Sequence, residues 1–145
     1  MTKLSNQNMH ATCIAKRGRG VLLAGPSGVG KSDLALQLIF DRDFMLVSDD
    51  QTLLRVSDGQ LRASAPPSIS GKIEIRGLGI FEMAMQDDVP IALYVDLAAT
   101  PERLPDNEAT EHLYGVDIPR IALDGHTASA PAKVELALDR LGLDF

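Results

Sequence analysis

The chain has no tryptophan and one cysteine, and its 145 residues include only two tyrosines and four phenylalanines. A lone cysteine excludes an internal disulfide. Cys13 lies in an apolar run and reads as a small core residue rather than a nucleophile; the expected compartment is a reducing cytoplasm. No apolar run approaches the roughly 18 residues of a membrane span. The polar residues 1–9 lack the apolar stretch of a secretory signal. Positive charge is scarce: 14 Lys and Arg against 20 Asp and Glu leave a net charge of −6. That balance argues against a nucleic-acid binder, which needs a basic face. There is no internal repeat and no low-complexity tract. The H-R-D, D-F-G and G-x-G-x-x-G marks of the common protein kinases are missing as well. What remains, 45% hydrophobic and 23% charged residues, is the composition of one globular domain with a modest core.

Against these absences stands Gly25-Pro26-Ser27-Gly28-Val29-Gly30-Lys31-Ser32, which fits the P-loop pattern G-x-x-x-x-G-K-[ST] at every fixed position. Residues 21–24 before it form a short apolar run that reads as a strand. Residues 33–40 after it read as a helix, with Leu34, Ala35, Leu38 and Ile39 on one face. Strand, glycine loop and helix N-terminus together make a phosphate cradle: the glycines let backbone N–H groups converge, and the helix adds unsatisfied donors and a partial positive charge. Lys31 is expected to reach the β- and γ-phosphates, and the Ser32 hydroxyl to serve a Mg²⁺ ion.

Residues 11–15 read as a strand, and the glycines of residues 16–20 make a hairpin turn back into residues 21–24. With the turn centred on Gly18, paired residue numbers sum to about 36, which places His10 opposite Pro26 at the mouth of the loop. Residues 41–43 read as a break. Residues 44–47 form a buried strand closed by Ser48, Asp49 and Asp50, so acids follow loop, helix and strand in the order a Mg²⁺–nucleotide site needs. Residues 52–56 and 60–64 flank a hairpin, and 65–68 form a loop. Residues 72–76 alternate strictly, with Ile73 and Ile75 on one side and Lys72, Glu74 and Arg76 on the other. Residues 77–79 end that strand. Further strands are read at 91–97 and 118–123, a polar stretch at 100–113, and a helix at 131–141 with Gly142 as its stop. Most consecutive strands look hairpin-linked, so the expected fold class is α/β with a mixed rather than an all-parallel sheet.

From the residues alone, two chemistries remain open. One is phosphoryl transfer to an acceptor hydroxyl, which needs positioning, Mg²⁺, cationic clamps and one base. The other is nucleotide sensing without turnover.

Four blocks now carry a resemblance: His10-Ala11-Thr12; residues 18–32; Leu46-Val47-Ser48-Asp49-Asp50; and Ala65-Pro66-Pro67 followed by Ile73-Glu74-Ile75-Arg76-Gly77-Leu78-Gly79-Ile80. The last is the most specific. The chain resembles the catalytic domain of bacterial HPr kinase/phosphorylase over residues 10–81, more weakly to Arg120. The resemblance implies a P-loop domain of the phosphoenolpyruvate carboxykinase-like type spanning residues 10–145, after a short N-terminal tail of residues 1–9. It implies ATP and Mg²⁺ as cofactors and phosphorylation of a serine on an HPr-like phosphocarrier of the phosphotransferase system. It also implies the reverse phosphorolysis and a hexameric homo-oligomer. Carried over by position, His10 is an active-site histidine, Lys31 the phosphate-contacting lysine, and Ser32 and Glu74 Mg²⁺ ligands. Asp50 is the residue that takes the serine proton, with Asp49 its acidic neighbour. Arg76 supports the site, and Arg103 matches an arginine required for activity. A nucleotide sensor with little turnover, or a kinase for a small molecule, are the alternatives.

The chain departs from the family in two ways. Nine residues precede His10 where longer members carry an N-terminal domain, as in the short alphaproteobacterial form. The family's basic segment, tied to phosphorolysis, should follow residues 118–121. Here residues 122–129 offer no cation beyond His126, so the forward kinase direction is expected over the reverse.

Overall fold

The structure, a computed structural model, describes residues 7–145; most of the tail assigned to residues 1–9 therefore lies outside the described residues. Chain order gives β1 (Gln7–Met9), β2 (Ala11–Lys16), β3 (Arg19–Ala24), α1 (Lys31–Arg42), β4 (Met45–Ser48), β5 (Thr52–Ser57) and β6 (Gln60–Ser64). There follow β7 (Lys72–Ile75), β8 (Gly79–Glu82), β9 (Val89–Asp96), β10 (Thr110–Leu113), β11 (Val116–Ala122) and α2 (Ala130–Leu141).

Nine strands form one mixed sheet in the order β1-β5-β6-β9-β3-β2-β4, with β11 also pairing β9 and β10 pairing β11; β7 and β8 form a separate two-stranded sheet. Hairpins supply the antiparallel pairs β2–β3, β5–β6, β7–β8 and β10–β11, whereas β3–β9 and β9–β11 are parallel. Since β4 is antiparallel to β2 and β2 to β3, strands β4, β3, β9 and β11 all run the same way. Their C-terminal ends share one sheet edge with the start of β2. Crevices at such an edge are where open α/β sheets bind ligands.

Alternation splits the central strands between two cores. Ile14, Val21, Leu23, Leu93 and Val95 join Leu34 and Leu38 of α1 and Val134 and Leu138 of α2 on one face. Cys13, Ala15, Leu22, Ile91 and Tyr94 join Leu54 of β5 and Leu61 of β6 on the other. Coverage on both faces is why these strands read as unbroken apolar runs. Cys13 is fully buried, and burial pushes its thiol far up, so it stays protonated and inert.

Several boundaries differ from the sequence reading. The β2–β3 turn holds two residues, Arg17 and Gly18, both at positive φ, as a tight primed turn requires. Its centre falls between them, Ala11 pairs with Ala24, and His10 is brought towards Gly25 rather than Pro26. Helix α1 starts at Lys31, inside the loop motif, and runs through Arg42; Asp43 at φ 61° ends it, and β4 starts at Met45, so the break is Asp43 and Phe44 rather than residues 41–43. Strand β1 falls wholly in the stretch read as a tail, because residues 7–9 add an edge to β5. The stretch after β7 is a hairpin into β8, and the polar segment 100–113 ends in β10. These short, exposed edge strands carry little apolar signal. An ion-paired clamp ties the layers: Glu135 of α2 accepts from Lys16 of β2 and, at 3.1 Å, from Arg42 of α1. Those two hydrogen bonds, Lys16's the larger, hold the Glu135 carboxyl below the usual range despite desolvation.

Candidate active site

A cleft of about 250 Å³ opens at the shared strand edge. Its floor is the glycine loop between β3 and α1, contributing Ser27, Gly28, Gly30, Lys31 and Ser32. One wall carries Asp49 and Asp50 after β4, and Glu74 and Arg76 from the β7 hairpin; His126, in the turn after β11, stands at the rim.

Asp49 is the hub. It is only 7% exposed. Its Oδ1 accepts the Ser32 hydroxyl at 2.7 Å and the Thr12 hydroxyl at 3.2 Å, and its Oδ2 accepts the backbone N–H of Glu74 at 3.0 Å. One carboxylate thus joins the loop, β2, β4 and β7. Asp50 adopts a left-handed conformation at φ 67°, which asparagine and aspartate tolerate best among non-glycine residues. That reversal lets two adjacent acids serve one cleft, Asp49 buried and Asp50 exposed. Asp50 Oδ1 lies 2.7 Å from His10 Nε2, and its backbone N–H donates to Thr12 Oγ1 at 3.0 Å.

Lys31 is 6% exposed. Its ammonium donates to the carbonyls of Gly25 at 2.7 Å and Pro26 at 3.1 Å, bracing the loop from inside. Glu74 and Arg76 are exposed on the β7 hairpin, whose Ile73 and Ile75 anchor it in the core. Beside the loop, Asp96 at the end of β9 receives the N–H groups of Ala98 and Ala99 and the Arg120 guanidinium at 2.6 Å. Burial pushes its carboxyl up, but those donors together outweigh burial and hold it below the usual range. Leu97 N–H then donates to the Ala24 carbonyl at 2.9 Å, fixing the next loop against the start of the cradle.

Of the residues singled out by sequence, the cleft gathers Ser27, Gly28, Gly30, Lys31, Ser32, Asp49, Asp50, Glu74 and Arg76, with His10 attached through Asp50. Gly25, Pro26 and Val29 shape the loop behind it. Arg103 is exposed in the segment between β9 and β10 and is not among the residues lining the cleft. Sequence reasoning missed Thr12, whose hydroxyl touches both acids. The available signal was a polar residue in an otherwise apolar strand. It also left His126 without a role.

The donor set suits a hard cation. Ser32, Asp49 and Glu74 offer oxygen only, which Mg²⁺ prefers. Among the described residues no group of three or more His, Cys, Asp or Glu could hold a metal by itself. This accords with an ion bound through one or two carboxylates plus phosphate oxygens.

Thr12→Val, which keeps shape and removes the hydroxyl, leaves the Asp50 backbone N–H unpaired and takes one donor from the Asp49 carboxylate. The expected result is a fall of about tenfold in turnover with KM for ATP little changed, measured by steady-state kinetics. Unchanged turnover rules out a positioning role for Thr12.

Residues 2–138 match the family model of the HPr serine kinase C-terminal domain. The chain is 36% identical over 130 residues to the HPr kinase/phosphorylase of Lacticaseibacillus casei, covering 81% of this chain and 40% of that protein. It is 41% identical over 75 residues to the HPr kinase/phosphorylase of Clostridium botulinum, covering 52% of this chain and 24% of that one. The chain thus spans about two fifths or less of the curated relatives it matches. The solved structure of an HPr(Ser) kinase/phosphatase from Coxiella burnetii superposes with a TM-score of 0.78 at 30% identity, covering 92% of this chain and 94% of that one.

Proposed function

The chain belongs to the HPr serine kinase C-terminal domain family, and from that premise we propose that residues 10–145 form an ATP-dependent protein-serine kinase domain acting on an HPr-like phosphocarrier. Its fold is the mixed-sheet, phosphoenolpyruvate carboxykinase-like P-loop type. The observation that carries the reading is the pair of acids at the cradle. Asp49 is locked onto Ser32, and Asp50 is exposed, paired with His10 and free to meet an incoming hydroxyl.

A P-loop alone holds phosphates; turnover needs a base beside it. Asp50 takes the proton of the acceptor serine as its oxygen attacks the γ-phosphorus. The new O–P bond forms while the bond to the β-phosphate oxygen breaks and ADP leaves. His10 fixes the carboxylate's direction. Backbone N–H groups of residues 28–32 hold the phosphate chain, and Lys31 turns from its loop carbonyls to the β- and γ-phosphates. Arg76, at the hairpin tip, faces the transferring group or the acceptor. Ser32, Asp49 and Glu74 would hold Mg²⁺, which when bound offsets charge on the phosphate oxygens. Arg103 contributes only if its loop closes onto the bound acceptor. A cytoplasmic, homo-oligomeric enzyme, hexameric as the resemblance implies, completes the proposal. The forward direction is favoured because residues 122–129 carry no cation beyond His126.

Incubation with γ-labelled ATP, Mg²⁺ and purified HPr from the same organism tests this. The expected result is label on one HPr serine. ATP bound without transfer instead supports a sensor, and label on a small metabolite a different kinase.

A further inference from the structure

We propose that His126 is a nucleotide-phosphate contact, donating from its imidazole to the phosphate chain on the flank of the loop away from the acids. The inference rests on the kinase reading above and names a residue that reading does not use.

Topology sets the stage. In the strand run β11-β9-β3-β2-β4 the cradle follows the middle strand. The acids follow β4 on one side, and the turn bearing His126 follows β11 on the other, both at the same sheet edge. The turn is held at both ends: Leu123 N–H donates to the Asp96 carbonyl at 3.0 Å, and Ala130 N–H to the Thr127 carbonyl at 3.1 Å. Asp124 Oδ1 accepts the His126 backbone N–H at 3.0 Å. The turn sits tightly on the loop. A Cβ on Gly125 would stand 3.1 Å from the Val29 carbonyl oxygen, and one on Gly30 would stand 3.0 Å from His126 Cε1. The imidazole therefore lies across Gly30, at the junction of the loop and α1. Among the described residues neither of its ring nitrogens has a hydrogen-bond partner, and the side chain lines the cleft.

Charge gives the reason. Four carboxylates line the cleft, from Asp33, Asp49, Asp50 and Glu74, against the cations Lys31 and Arg76. Asp49, Asp50 and Glu74 crowd one wall. A polyanion on this floor needs a donor on the opposite flank, and His126 is the side chain there with unused N–H capacity.

The test is equilibrium binding of Mg·ATP and of tripolyphosphate, which lacks the base. The variants are His126→Ala and His126→Asn, the second keeping an N–H donor. His126→Ala is expected to weaken both ligands about fivefold to tenfold, and His126→Asn to recover much of the loss. Unchanged affinities in His126→Ala overturn the assignment, as does a loss confined to ATP, which would point to the base. A wild-type protein that binds neither ligand overturns the kinase reading itself, and this assignment with it.

Discussion

Asp50→Asn is expected to slow serine phosphorylation by about a hundredfold to ten-thousandfold, the usual worth of a positioned base, while ATP affinity stays essentially unchanged. Asparagine is nearly the same size and its amide can still pair with His10, so the 2.7 Å contact survives in form. What is lost is the capacity to accept a proton at the cleft. Because Asp50 is exposed, with none of Asp49's contacts to the loop, nucleotide binding has no reason to fall. Labelled-phosphate transfer to HPr, alongside ATP titration, separates the two effects. Full-rate phosphorylation by the variant would remove Asp50 from the mechanism. A parallel collapse of ATP affinity would reassign it to nucleotide binding.

Asp49→Ala is expected to damage both fold and site. Its carboxylate satisfies a fully buried threonine hydroxyl and a backbone N–H, besides Ser32. Leaving buried donors unmatched costs about 1–3 kcal/mol each, so a loss of about 2–4 kcal/mol is predicted. In a domain of this size that lowers the melting temperature by about 5–15 °C. The Mg²⁺ dependence of ATP binding should disappear with it. Asp49→Asn keeps the shape and most hydrogen-bonding capacity, so it should melt near wild type while still losing the Mg²⁺ dependence. Thermal melts of both variants, with ATP titrations at varied Mg²⁺, distinguish the hub's two duties. An Asp49→Ala variant with a wild-type melt and intact Mg²⁺ dependence would dismiss the hub.

The loop and its helix were legible because their signals are local: fixed glycines, an apolar run before and a helical face after. Strand β7 was legible because Ile73 and Ile75 alternate with charged residues, and they are buried as that pattern requires. The hairpin β2–β3 was legible to within one register step, since a two-residue turn and a one-residue centre differ by half a pair. The strands β1, β8 and β10 were not. They are three or four residues long, mostly exposed, and stabilised by a neighbour rather than by their own apolar face. Among the site residues, His126 was visible as a letter in an unassigned loop and Thr12 as a polar residue in a core strand. Nothing local says what either touches.

By itself the sequence determined the phosphate cradle, the acids that follow the next strand, the mixed sheet and the family. Each depends on residue types at short spacing, where backbone geometry leaves few alternatives. Only the tertiary structure decided that β9 lies parallel beside β3, more than sixty residues away in the chain, and β11 parallel beside β9. That pairing carries the turn of His126 to one flank of the loop, as β2 carries Thr12 and His10 to the other. It also decided that Asp49 ties Ser32 to β7. Strand neighbours are chosen by burial of both sheet faces at once, a condition on the whole chain that no window of sequence contains.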